Sequence, residues 1–207
     1  MYDLITTYVQ AVLKTIPSSH VTEYDRLIQN LQQSGTHQYQ AIYRNYWRLN
    51  AARLSANYYG VYFQALQAAQ ANPPTLENLA LQLYATPTHA GGRRSLEFSF
   101  ATKLLHMVNR HVPIYDSLVA SFYFFQEPNR VQPLNQRVAT LSAFHAFLIC
   151  EYARVLRNGL LTQAIQQFRQ QFQPQHFTDE KVIDSLIWAY VRLLNNGGQI
   201  NRQITYR

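Results

Sequence analysis

Apolar residues recur at helical spacing along almost the whole chain, and no other feature restricts the fold as much. Segments such as QYQAIYRNYWRLNAARL place them three and four residues apart, which gathers them on one face of a helix. Sustained alternation of apolar and polar residues, the pattern of a half-buried strand, is hard to find. The sequence therefore predicts an all-α protein, a compact multi-helix domain of about nine or ten helices.

Prolines, glycines and capping residues divide this pattern into separate helices. Thr22 and Thr178 are predicted N-caps, and segments 86–94 and 127–133 are predicted loops because they contain proline or paired glycines. The longer helices are expected at about 3–15, 22–33, 38–52, 56–70, 75–85, 134–157, 160–172 and 178–195. The chain is expected to form a single domain over 1–207, or two helical lobes around a cleft near 86–133. Residues 196–207 are expected to form a loosely ordered tail.

The charge of the chain favours a polyanionic partner. The formal net charge is +7, and fifteen arginines accompany only three lysines. Arginine suits phosphate because its planar guanidinium group donates two hydrogen bonds at once. Nucleic acid is the first partner that such a charge suggests, although solvated basic faces explain the same composition.

Several classes of site are absent from the sequence. Cys150 is the single cysteine, and its apolar surroundings in FHAFLICEYARVL predict a small buried side chain. The seven histidines form no HExxH pattern, and P-loop, GxGxxG and GxSxG patterns are missing, so neither a metal nor a cofactor is predicted. No segment approaches the roughly 20 apolar residues of a membrane span, and no signal peptide is recognisable. The expected location is the cytoplasm, without membrane contact.

The stretch SFATKLLHMVNRHVPIYDSLVASF, residues 99–122, carries the most specific functional pattern. Lys103 borders an apolar helical stripe, and His106 and Arg110 add positive charge nearby. Partial desolvation and these charges lower the pKa of Lys103, which raises the fraction of neutral amine that can attack an electrophilic carbon. Pro113 ends the helix, and Asp116 is the predicted N-cap of the next helix, where amide donors hold its carboxylate ionised. A surface lysine and a simple helix cap fit the same residues.

The order of elements in this stretch resembles a known family. Ser99-Phe-Ala-Thr-Lys103, an apolar helix, a short turn and Pro113-Ile-Tyr-Asp116-Ser117 are similar to the helix-hairpin-helix base-excision DNA glycosylases. The similarity is greatest to bacterial proteins described as having an 8-oxoguanine DNA glycosylase fold, and it covers about residues 95–125. It implies that Lys103 attacks C1′ of an extruded nucleotide and that Asp116 assists. Cleavage of the N-glycosidic bond, and strand cleavage through a Schiff base, are the implied reactions.

The chain departs from this family in two respects. The family's hairpin usually carries a glycine-rich turn such as L-P-G-[IV]-G, whereas RRSLEFSFAT has no glycine after Gly92. Lys103 and Asp116 are 13 positions apart, which is shorter than the separation typical of the well-known enzymes. The segment HAGGRR, 89–94, offers two glycines and two arginines to a phosphate backbone in place of the hairpin, or is an ordinary flexible connection.

A second group of basic residues lies on the third predicted helix. Arg44 and Arg48 are one turn apart beside Tyr43 and Trp47, an arrangement that suits phosphate contact and base stacking. Core aromatics covered by arginine side chains explain the same spacing. The residues predicted to contact DNA are Arg44, Arg48, Arg93, Arg94, Ser99, Thr102, His106 and Arg110.

Three functions are open from the sequence alone. The first is a DNA glycosylase or abasic-site lyase that uses Lys103 and Asp116. The second is a non-catalytic helical protein that keeps the fold and binds nucleic acid or protein, and the missing glycine turn favours it. The third is an enzyme that acts on a small substrate in a cleft between helical lobes. Asp184 and Trp188 on the last helix anchor that helix to the core, or alternatively Asp184 faces such a cleft.

Overall fold

The computed structural model describes residues 1–197, except the side chain of Ala90, and within them it contains eleven α-helices and no strand. The all-α prediction is confirmed. The helices are α1 Tyr2–Thr7, α2 Val9–Lys14, α3 Ser18–Gln29, α4 His37–Tyr46, α5 Ala56–Ala71, α6 Leu76–Ala85, α7 Phe98–Val108, α8 Ser117–Phe122, α9 Leu134–Arg157, α10 Thr162–Phe172 and α11 Asp179–Asn195. Short 3-10 helices lie at Leu31–Gln33, Leu49–Ala52 and Ala90–Gly92. Residues 198–207 of the predicted tail lie outside the described residues.

Two predicted helices near the N-terminus have other bounds in the structure. The helix expected at 3–15 is divided at Tyr8, whose φ of −102° and ψ of 20° are not helical, and this adds one helix to the predicted number. The next helix begins at Ser18 and not after Thr22, so the predicted cap at Thr22 is wrong. Pro17 explains the early start, because its extended conformation precedes the helix and its fixed φ suits a helix start.

The helix expected at 38–52 ends early, at Tyr46. Arg48 has φ 59° and Arg53 has φ 51°, and the 3-10 turn Leu49–Ala52 lies between them. Both angles fall in the left-handed region, which costs a residue with a side chain about 1–3 kcal/mol unless the surroundings hold it there. Leu49 is fully buried and anchors this turn to the core.

The central helices of the fold are α7 and α11. The C-terminal helix α11 packs against α2, α8, α9 and α10, whereas α7 packs against α5 and α6. Both helices are buried on almost every side, and the buried apolar residues of the described chain, except Val138, form one cluster. Polar side chains on these two helices therefore lie inside the protein, which is uncommon for lysine and aspartate.

Buried tyrosines attach α7 to the helices beside it. The hydroxyl of Tyr62 on α5 donates to the backbone carbonyl of Phe100 at 2.9 Å, and it accepts from the hydroxyl of Tyr43 at 2.8 Å. This chain of bonds joins α4, α5 and the first turn of α7. It fixes the segment from which the Lys103 side chain extends.

The longest helix, α9, places its single cysteine outside. Leu148 is fully buried, and Cys150, two positions further, is turned by about 200° from it and is exposed. The prediction of a buried cysteine is therefore wrong, because the apolar run covers both faces of the helix. In the described part of the chain, α9 is the one helix long and apolar enough to cross a membrane, a test that core helices of soluble proteins also pass.

Candidate active site

The site is centred on Lys103, which α7 carries into the interior. The residue is only 8% exposed, because α7 is surrounded by other helices on the side that the sequence suggested would border solvent. Its Nζ lies 5.1 Å from the ring centre of Phe100 and 5.9 Å from that of Trp47. The one hydrogen bond that it donates to a described residue is long, at 3.4 Å, to the backbone carbonyl of Trp47.

The pKa of the Lys103 amine is lowered from the ordinary lysine value. Burial is the largest cause, and the positive charges of Lys181 and Arg48 act in the same direction. The carboxylates of Asp116 and Asp184 oppose the shift without cancelling it. The structure therefore supports the expected direction, and desolvation is more complete than the sequence pattern indicated. The charges responsible are those of Lys181 and Arg48, and not those of His106 and Arg110 as predicted.

Side chains of α7 fix the turn that separates Lys103 from Asp116. The hydroxyl of Thr102 accepts a hydrogen bond from the amide of Tyr115 at 3.0 Å. The imidazole Nδ1 of His106 donates to the carbonyl of Val112 at 2.7 Å. Thr102 is fully buried and His106 is 1% exposed, so both residues predicted to contact DNA face the protein interior and position the turn.

Two further contacts support the same turn. His145 on α9 donates through Nε2 to the carbonyl of Pro113 at 2.8 Å. His106 accepts at Nε2 from the Tyr24 hydroxyl at 2.8 Å, since its Nδ1 carries the proton given to the carbonyl of Val112. Burial lowers the pKa of His106 to about 3, so this imidazole is neutral.

Asp116 is the N-cap of α8, as predicted. Its Oδ1 accepts a hydrogen bond from the amide of Leu118 at 2.9 Å, and the residue is half-buried. The cap and the turn before it hold the carboxylate in one orientation. The structure thus confirms the capping role. The other carboxylate oxygen, Oδ2, does not take part in the capping bond.

Lys103 and Asp116 line the same cavity. Its volume is about 210 Å³, and it lies between α3, the end of α4, α7, residues 114–119 and α11. Lys181 and Asp184 of α11 also line it. Among the described residues, neither the loop 86–94 nor the loop 127–133 contributes to its wall, so the predicted cleft near 86–133 corresponds to this cavity only in its central part.

The pair Lys181 and Asp184 is a buried ion pair on one face of α11. The Nζ of Lys181 donates to Oδ2 of Asp184 at 3.0 Å, and the two side chains are 2% and 9% exposed. Burial raises the pKa of Asp184, and Lys181 opposes that shift. The alternative in which Asp184 faces a cleft therefore agrees with the structure. The sequence analysis did not identify Lys181 as part of the site. Its position three residues before Asp184 was the signal that could have identified it.

Aromatic rings form another part of the wall. His20 stacks on Tyr46 with ring centres 5.2 Å apart, and it lies parallel to Trp188 at 5.7 Å. Burial and the charge of Lys181 lower the pKa of His20 to about 3, so this imidazole is neutral as well. Nothing in the sequence around His20 indicates the site, because Trp188 and Lys181 are distant in the chain.

Two arginine side chains line the cavity, and two exposed arginines lie on a connection outside its wall. Arg48 is exposed and lines the cavity, and Arg192 lies 5.1 Å above the ring of Trp188 and also lines it. Arg93 and Arg94 are exposed on the connection between α6 and α7. That connection is attached to the chain after Arg53, because the Ser55 amide donates to the Thr88 carbonyl at 2.8 Å.

The remaining predicted DNA contacts are spread over the surface. Arg44 is half-buried, with its guanidinium group 5.0 Å above the ring of Tyr59. Arg110 is half-buried and donates to the carbonyl of His176 at 3.1 Å. Ser99 is half-buried at the start of α7. Of the eight predicted contacts, Arg48 alone is among the described residues that line the cavity.

Comparisons with known proteins add no relative. No family model matches the chain, and neither a curated protein nor a solved structure matches it. Within residues 1–197, no group of three or more histidine, cysteine, aspartate or glutamate side chains is arranged to hold a metal ion. The chemistry of the site therefore has to be inferred from its own residues.

The arrangement is suited to nucleophilic chemistry. An amine with a lowered pKa can attack an electrophilic carbon, and a fixed carboxylate in the same cavity can stabilise a positive charge that develops there. The neutral imidazole of His20 and the aromatic rings of Tyr46, Trp47 and Trp188 form the less polar part of the wall.

Proposed function

We propose that the protein binds DNA and cleaves the N-glycosidic bond of an extruded nucleotide, with Lys103 as nucleophile and Asp116 as assisting carboxylate. The buried amine of Lys103, with its lowered pKa, in a cavity shared with Asp116, is the observation that supports this most strongly. The net positive charge of the protein and its exposed arginines are consistent with a polyanionic substrate.

The proposed reaction begins with the neutral amine of Lys103. Its lone pair attacks C1′ while the bond from C1′ to the base nitrogen breaks, and the electron pair of that bond leaves with the base. The amine then gives one proton to the departing base. Its nitrogen lone pair breaks the bond from C1′ to O4′, which takes a proton from water, and the opened sugar is joined to Lys103 by a protonated Schiff base. Loss of a proton from C2′ then breaks the bond from C3′ to oxygen and cleaves the strand. Asp116 stabilises the positive charge on the sugar throughout.

The size of the cavity suits one extruded base. Pockets for drug-sized ligands measure about 300–1,000 Å³, and this cavity of about 210 Å³ holds a single planar group more readily than a whole nucleotide. The reacting atoms of a stacked duplex are inaccessible, so the base must leave the stack to enter. The sugar and phosphates would then lie outside, near Arg48.

Borohydride trapping on DNA with an abasic site tests the nucleophile directly. The wild-type protein should form a covalent adduct, and Lys103→Ala should abolish it, while Lys14→Ala, which removes an exposed lysine, should leave it unchanged. Because the pKa of Lys103 is lowered, the trapping rate should rise with pH and level off below the pH at which free lysine does. An adduct that persists in Lys103→Ala would refute the assignment.

A non-catalytic DNA-binding protein is the second candidate. The connection between α6 and α7, residues 86–97, has its positive-φ glycines at Gly91 and Gly92, six residues before α7, and no glycine closer to it. It therefore lacks the glycine-rich turn of the family that the sequence resembles. Salt-sensitive binding to DNA without any trapped adduct would favour this function.

A further inference from the structure

Two buried polar atoms of the cavity wall have no hydrogen-bond partner among residues 1–197. They are Oδ1 of Asp184, an acceptor, and Nε1 of Trp47, a donor. Both residues line the cavity. Eight buried side-chain atoms of the described residues lack a hydrogen-bond partner, and these two are the ones on residues that line the cavity. A ligand that supplies both an N–H donor and an acceptor would pair them.

Lys181 lies close to both residues. Its Nζ donates to Oδ2 of Asp184 at 3.0 Å and lies 5.3 Å from the ring centre of Trp47. One oxygen of Asp184 is thus occupied, and the side chain is nine-tenths buried. The torsion that orients a carboxylate is soft, so a small rotation presents Oδ1 to a bound group.

We propose that Asp184 and Trp47 read one edge of the extruded base, an edge on which an N–H group lies beside a carbonyl. Oδ1 of Asp184 accepts from the N–H, and Nε1 of Trp47 donates to the carbonyl oxygen. This inference rests on the proposed function and names the substrate class of the same site, bases with such a lactam edge. A base without it leaves both protein groups unpaired and is therefore rejected.

Two oligonucleotides that differ only at one base test the proposal. Single-stranded DNA carrying hypoxanthine presents the lactam edge, and the same strand carrying unsubstituted purine keeps the ring system without it. The wild-type protein should bind the hypoxanthine strand at least about tenfold more tightly. Equal affinity for the two strands would overturn the proposal.

Two variants assign the preference to these residues. Trp47→Phe removes the donor and keeps an aromatic ring. Lys181→Met combined with Asp184→Leu removes the whole ion pair, which avoids leaving one buried charge alone. Each variant should reduce the preference to about twofold or less, and Lys14→Met combined with Asp3→Leu, a matched change at exposed positions, should retain it. A preference that survives in both test variants contradicts the assignment.

Trapping on abasic DNA, measured with the same proteins, separates this inference from the proposed chemistry. An abasic site has no base to read, so the adduct that the wild-type protein forms on it depends on Lys103 and not on the residues that read the base. If the protein forms the adduct but shows no preference between the two bases, the proposed reading of the base edge is refuted and the proposed chemistry is not. Preference without an adduct supports that reading and refutes Lys103 as nucleophile, and a protein that binds neither strand refutes both.

Discussion

The two lysines of the cavity are in different chemical situations. Lys181 has a carboxylate partner at 3.0 Å, whereas no carboxylate of residues 1–197 forms an ion pair with Lys103. Burial without a partner favours the neutral amine, and burial with one favours the charged form. Lys103 is therefore suited to attack carbon, and Lys181 is suited to hold Asp184 in place.

Buried imidazoles should make the protein sensitive to mild acid. Burial lowers the pKa of His20 and His106 to about 3, against an ordinary value of 6.5. Between these values the unfolded chain binds more protons than the folded one, so the free energy of unfolding falls as the pH is lowered. Each histidine should account for a loss of about 2 kcal/mol between pH 8 and pH 5. Urea unfolding at the two pH values measures it.

His106→Gln identifies the contribution of one imidazole. The variant should be less stable than wild type at pH 8, because the bonds to Tyr24 and Val112 are disturbed, but its loss between pH 8 and pH 5 should be smaller by about 2 kcal/mol. His37→Gln, at an exposed position, should keep the full loss. Equal losses in all three proteins would mean that His106 is not neutral in the fold.

Sequence reasoning at this scale succeeded where the signal is local. The capping role of Asp116 follows from residues within one turn. The lowered pKa of Lys103 was predicted in direction, but its burial and the charges of Lys181 and Arg48 come from other parts of the chain. His20 was missed because its stacking partner Trp188 lies 168 positions away. Periodicity indicates which side of a helix is apolar but not which other helix covers it.

At the scale of elements, the turn between α7 and α8 determines where Asp116 lies. Thr102, His106 and His145 each bind one backbone group of this turn. Asp116 then caps α8, a helix of six residues that is too short to be stable alone. The cap and the proposed catalytic role of the carboxylate can be separated by substitution.

Asn and Ala at position 116 should have different effects on stability and the same effect on chemistry. Asn caps helices as well as Asp does, so Asp116→Asn should change the free energy of unfolding by less than about 0.5 kcal/mol, whereas Asp116→Ala should cost about 1 kcal/mol. Both variants should slow borohydride trapping at least about tenfold, because both remove the negative charge. Urea unfolding and trapping rates measure the two effects.

The same variants decide between chemistry and capping. If Asp116→Asn traps abasic DNA at the wild-type rate, Asp116 is a cap and nothing more.

Helix bounds could be predicted where a proline, a glycine or a capping residue marks them. The prediction failed where tertiary contacts determine the bound. The bounds of α9 and α11 agree with prediction to within about a residue, since Pro133, Gly159 and Thr178 mark them. The end of α4 was missed because residues 38–53 contain no glycine or proline that would mark it. The left-handed conformation of Arg48 is instead imposed by the packing of its neighbours. The break at Tyr8 carries no sequence signal either.

At the scale of the whole molecule, DNA binding should depend strongly on salt. The logarithm of the DNA-binding constant falls linearly as the logarithm of the salt concentration rises. For duplex DNA, each phosphate contact adds about 0.9 to the steepness of that slope. Arg93→Gln combined with Arg94→Gln should reduce that slope by up to about 1.8 if both arginines contact phosphate. Fluorescence anisotropy at several salt concentrations measures it.

A matched pair of exposed arginines provides the control. Arg130→Gln combined with Arg157→Gln makes the same change in net charge elsewhere on the surface. This variant should keep the wild-type slope. A slope reduced equally in both double variants would show that general charge, and not the connection between α6 and α7, attracts DNA.

The cavity takes its walls from both ends of the chain, from Pro17 on one side to Arg192 on the other. During synthesis, α3 and α7 leave the ribosome long before α11, which supplies Lys181 and Asp184 to the wall. Because burial is the largest cause of the lowered pKa of Lys103, we expect an incomplete chain to carry a more basic amine at this position. Reactivity of Lys103 toward aldehydes should then report the docking of α11.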